Sequence, residues 1–155
     1  MSENNLAISP ETMAQIDAIC QNENSPSESE YVKRLLLEII QANFMLIGLD
    51  YHDIYAQFSQ GGKVSALEIE VDATCPDRMQ QIASKIGEHC RLMPCLNNIM
   101  LYFDCCKDSL LKMDELNSLN DMFQTIGDSI NIKWGVNVNK AQTDIPKIRV
   151  IVLTQ

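Results

Sequence analysis

Residues 97–105 read Asn97-Asn98-Ile99-Met100-Leu101-Tyr102-Phe103-Asp104-Cys105, a short apolar run between polar ends. A run of this length with no polar alternation predicts a strand buried on both faces. What flanks it decides the fold. Upstream, Pro76 opens a helix that carries Met79, Ile82 and Ile86 on one side. Downstream, Lys112–Gly127 places Leu116, Leu119, Phe123 and Ile126 at three- and four-residue steps, a second amphipathic helix. Ile132, Trp134, Val136 and Val138 then alternate within Ile130–Asn139, a strand. Ala141–Pro146 forms a loop, and Ile148, Val150 and Val152 line one face of a terminal strand over Lys147–Gln155. The short connection between these last two strands predicts an antiparallel hairpin.

Moving toward the N-terminus, Val64–Val71 ends in a period-two alternation, predicting a strand with one wet face. Gly61-Gly62 precedes it as a turn needing positive φ, and Tyr51–Phe58 predicts a helical turn. From Tyr31, the residues Val32, Leu35, Leu36, Ile39, Ile40 and Phe44 recur at helical spacing up to Gly48, which would end a long helix. The element order is a helix, then β-α-β-α-β-β. Short connections and right-handed crossovers make this an α+β domain, a single four-stranded mixed sheet flanked by helices.

Residues 1–30 form a separate acidic leader, and residues 31–155 form the module. Ser9-Pro10-Glu11 supplies an N-cap, a proline at the first helical position and an acid in the first turn. A short helix to about Cys20 follows, with Met13, Ile16 and Cys20 on its narrow apolar face. Gln21–Glu30 is polar, acidic and contains Pro26, a tether composition. The leader holds six acids and no base, leaving 15 acids and 12 bases for the rest of a chain of 155 residues with net charge −9.

That charge excludes nucleic-acid phosphates and anionic membrane surfaces as expected partners. No uninterrupted run of about 18 apolar residues occurs, and no basic start precedes an apolar stretch, so a cytoplasmic location is expected. The six cysteines are then expected to be reduced.

Few residues point to catalysis. There is no G-x-x-x-x-G-K-[ST], G-x-G-x-x-G or G-x-S-x-G, so no glycine-rich phosphate cradle and no cofactor are expected. Cys90-x4-Cys95, with His89 beside it and Cys105-Cys106 beyond, has poor spacing for zinc, and adjacent cysteines on a strand point to opposite faces. These cysteines read as small buried hydrophobes, with no metal expected. Only His52 and His89 could serve a cysteine nucleophile, and no orienting group is visible. Trp134 and Tyr102 read as core or sheet-face residues, and the eight scattered methionines as core filler. Four arginines, Arg34, Arg78, Arg91 and Arg149, give an anionic substrate few anchors.

The remaining constellation is Gly48-Leu49-Asp50-Tyr51-His52-Asp53-Ile54, two carboxylates three apart after the long helix. By itself, an Asp in this position caps the next helical turn. The stretch also resembles the loop N-x-D-F-A-D-V between the two domains of FtsZ, the bacterial tubulin homologue. Further likenesses follow in order. Asp77-Arg78 resembles the family's D-R-A segment, and Asp108-Ser109-Leu110-Leu111-Lys112-Met113-Asp114-Glu115 is similar to D-L-S-L-F-E-V-N-E. Asn131-Ile132-Lys133-Trp134-Gly135 resembles N-I-I-F-G, and Ile148–Thr154 resembles I-R-V-T-V-I-A-T.

The resemblance covers residues 31–155 and implies a stand-alone relative of the FtsZ C-terminal domain without the GTP-binding domain. By position, Asp50 and Asp53 would be the trans-acting acids that reach the next subunit's nucleotide site. Gly48 stands where the family has Asn, and Cys105-Cys106 where it has paired glycines. The implied function is a non-enzymatic interaction module that caps or modulates an FtsZ-type cell-division filament, with an FtsZ-type protein or a second copy as partner. The alternative is a scaffold or self-associating adaptor that keeps the fold without filament contact, with residues 1–30 as its partner-binding arm.

Overall fold

A computed structural model describes residues 8–21, 24–42, 45–93, 95–127, 129–139 and 146–155. Helices α1 (Pro10–Gln21) and α2 (Pro26–Ile40) lead into strand β1 (Met45–Ile47) and helix α3 (Tyr51–Phe58). Then come β2 (Ser65–Asp72), α4 (Arg78–Arg91), β3 (Asn98–Cys106), α5 (Met113–Ile126), β4 (Asn131–Asn139) and β5 (Lys147–Thr154). The strands form one mixed sheet in the order β1-β4-β3-β5-β2, with β3 and β4 parallel and every other neighbouring pair antiparallel.

The run at 97–105 is the centre of the sheet, as its composition requires. Ile99, Leu101, Phe103 and Cys105 face one core, shared with Met79, Ile82 and Ile86 of α4 and Leu119 of α5. Met100 and Tyr102 face the other, shared with Ile16 of α1, Leu35 and Ile39 of α2, and Ile54 and Phe58 of α3. Helices therefore cover both sheet faces. Each fully buried large side chain contributes roughly 1.5–3 kcal/mol relative to exposure, which makes β3 the most strongly held element.

The sheet has five strands, not the four expected. Helix α2 ends at Ile40, and residues 45–47, assigned from the sequence to one helix running to Gly48, instead pair with β4. Phe44 of the expected helical stripe lies outside the described residues. The expected hairpin between the last two strands is also absent. β4 and β5 lie on opposite sides of β3, and β5 is inserted between β3 and β2. The reason is burial: Ile148, Val150 and Val152 fill one core while Ile151 and Leu153 fill the other, so β5 must have helices on both faces. An edge position would leave one of those faces wet.

The leader helix forms where expected, but it buries Ile16, Ile19 and Cys20, and Met13 stays half-exposed. Residues Pro26 to Glu30, read as tether, are the first turns of α2. Ser25 caps that helix with a reciprocal box: its Oγ accepts from the Glu28 N–H at 3.3 Å, and Glu28 Oε2 accepts from the Ser25 N–H at 3.2 Å. Among the described residues, no helix is long and apolar enough to cross a membrane.

Candidate functional site

Strand β1 runs into Gly48-Leu49-Asp50 along the outer side of β4, and the approach is close. A Cβ on Gly135 would lie 2.7 Å from Leu49 Cγ and 2.8 Å from the Ile47 carbonyl oxygen, so only glycine lets the segment settle there. Buried Leu49 anchors it. Asp50 follows as the N-cap of α3, in extended conformation.

The two acids cap each other's backbone. Asp50 Oδ1 accepts from the Asp53 N–H at 3.0 Å, and Asp53 Oδ2 accepts from the Asp50 N–H at 3.0 Å. The other oxygen of Asp53 lies 3.5 Å from Lys133 Nζ on β4. The backbone hydrogen bond from Asp50, together with Lys133, holds the Asp53 carboxyl below the usual carboxylate range. Asp50 remains exposed, with one carboxylate oxygen outside the box. The capping reading is thus the local structure, and it leaves Asp50 facing outward on a rigid turn. Replacing Asp50 with Ala is expected to cost about 1 kcal/mol in urea-monitored stability, whereas Asn, itself a good N-cap, should cost far less.

Exposed apolar side chains lie on the elements either side of this turn. Leu46, Ile47 and Tyr55 are 62%, 41% and 44% exposed, three of the largest apolar exposures among the described residues, all within ten residues of the acids. On the other side, the Tyr51 hydroxyl donates to Gln15 Oε1 of the leader helix, and the exposed His52 ring lies 5.9 Å from the Tyr51 ring. Beneath α3, buried Gln57 donates through Nε2 to the carbonyls of Ile99 (2.8 Å) and Asn131 (2.9 Å), tying the helix to the starts of β3 and β4.

The other residues singled out in the sequence are not brought together. His89 sits against buried Thr154, 3.2 Å from its hydroxyl, and burial pushes its pKa down. Burial pushes the Cys90 thiol up, and the Cys105 thiol up to about 11, so both are inert at neutral pH. Cys95 is exposed on a loop, and Cys106 donates to the Lys147 carbonyl at 3.3 Å. Gly61 and Gly62 take positive φ, as a turn requires, Tyr102 is core, and Trp134 packs half-buried on the α4–α5 side. Sequence reading gave no role to Lys133, Gly135 and Gln57. Their contacts join segments far apart in the chain, and no local pattern marks them.

No family model matches the chain, and no curated protein matches it. Solved structures do. An empty FtsZ dimer from M. jannaschii is similar over 90% of this chain and 42% of that chain, with a TM-score of 0.56 at 16% identity. A point mutant of the same FtsZ covers 90% and 43%, with a TM-score of 0.55 at 15% identity. The chain therefore spans less than half the length of these FtsZ chains, and at this identity the likeness is one of fold. The fold is that of a C-terminal-domain-like part of FtsZ.

Proposed function

We propose that this chain is a non-enzymatic interaction module that docks on an FtsZ-type subunit through the turn between β1 and α3, capping or modulating its filament. The observation that carries this reading is the exposed Asp50 on a clamped turn, flanked by Leu46, Ile47 and Tyr55, on a fold matching under half of an FtsZ chain. A unit seated on a filament end through this turn covers the surface that the next subunit would use. The turn costs little to order on binding, because the capping box and Lys133 already hold it. In the adaptor reading residues 1–30 are the partner-binding arm, and of these Ile16, Ile19 and Cys20 are buried in the core.

The test is sedimentation of a polymerising FtsZ with GTP, with and without this protein, while phosphate release is followed. Polymer mass or turnover should change at stoichiometric addition. Asp50→Asn, which keeps the cap and removes the charge, should reduce that change. No change at saturation overturns the docking reading.

A further inference from the structure

We infer that the leader helix α1 is a latch against α3, so that release of the leader loosens the helix whose first turn carries Asp50 and Asp53. The inference rests on the docking reading for its consequence but not for its geometry. Gln15 of α1 accepts the Tyr51 hydroxyl proton, and Tyr51 is the first residue of α3, between the two acids. Ile16, Ile19 and Cys20 share one core with Ile54 and Phe58 of α3, so the two helices draw on the same buried cluster.

What holds α1 is modest. It is a 12-residue helix with three buried side chains, and a helix that short does not persist alone. Among the described residues it is also tied by the Asp17–Lys33 ion pair at 2.7 Å and by the Cys20 carbonyl, which accepts from Asn24 Nδ2 at 2.7 Å and Ser29 Oγ at 3.0 Å. Both carbonyl contacts lie at the C-terminal end, where the chain continues to α2. Gln15, which reaches Tyr51, sits mid-helix, one residue before fully buried Ile16. β3 and β5, by contrast, are central strands buried on both faces. Elements with few buried contacts open locally before the global core does. When α1 opens, Tyr51 loses its Gln15 partner and the cluster that holds Ile54 and Phe58 loses three members, so the first turn of α3 loosens with it.

Native-state hydrogen exchange on the full chain tests this without any partner, so its outcome is independent of whether docking on FtsZ succeeds. The amides of α1 and α3 should exchange through one shared opening with a weaker denaturant dependence than those of β3 and β5. Gln15→Ala should accelerate both helices by roughly fivefold, the loss of one ordinary hydrogen bond. The inference is overturned if α1 exchanges only at the rate of β3, if α3 stays as protected as β3 while α1 opens, or if the acceleration is confined to α1.

Discussion

Replacing Arg78 with alanine is expected to lower stability by about 3–5 kcal/mol, read as a shift of the urea midpoint at unchanged slope. Arg78 is the first residue of α4 and is buried. Its Nε and Nη2 grip both oxygens of Glu115 on α5, at 2.6 and 2.7 Å. Its Nη1 donates to the Ala73 carbonyl (3.0 Å) and the Ser109 hydroxyl (2.8 Å), and Nη2 to the Leu110 carbonyl (2.8 Å). One guanidinium thus ties the β2–α4 turn, the loop before α5 and α5 itself. Truncation strips a partly buried carboxylate of its charged partner and takes a donor from the Leu110 and Ser109 carbonyls, which is why the cost exceeds that of an exposed ion pair. Lysine should not rescue, because a point charge cannot reproduce the two-pronged grip.

The same pair predicts an acid dependence. The side-chain hydrogen bonds from Arg78 hold the Glu115 carboxyl below its ordinary value of 4.5. A depressed carboxyl contributes its stability in full above the unfolded-state value, and that contribution is lost as pH falls through the folded-state value. Unfolding free energy should therefore decline below about pH 4.5, and Glu115→Gln should flatten that part of the profile.

Valine at position 135 is expected to cost about 1–3 kcal/mol and to unseat β1. The cause is the 2.8 Å approach of the Ile47 carbonyl oxygen to where a Cβ would stand, since backbone cannot swing aside as a flexible side chain can. Amides of residues 45–47 should lose exchange protection while β3 keeps its own. Because Leu49 and Asp50 follow directly from β1, this substitution should also weaken docking, although residue 135 lies beneath the turn.

Much of the architecture was legible. Period-three-and-four spacing marked α4 and α5, alternation marked β2 and β4, and the unbroken apolar run marked β3 as a buried strand. The start of α2 was not: Ser25-Pro26-Ser27-Glu28 has a cap, a proline and an N3 acid, but its polar composition reads as tether. β1 was hidden for a different reason. Residues 45–47 are apolar and follow a helical stripe, so local pattern extends the helix, and only the glycine some ninety positions later makes a strand possible there.

At the candidate site, sequence located Asp50 and Asp53 and read their capping chemistry, because an N-cap is a contact between residues three apart. It could not place Lys133 against Asp53, Gln15 against Tyr51, or α1 in the core. What the sequence by itself determined is most of the elements, β1 and the start of α2 excepted, and the acidic turn, since hydrophobic period and helix caps act within a few residues. The strand order, the position of β5 between β3 and β2, the fifth strand and the clamps on the turn were decided only in the tertiary structure. Those depend on which surfaces can bury both faces at once, and that is settled between segments, not within them.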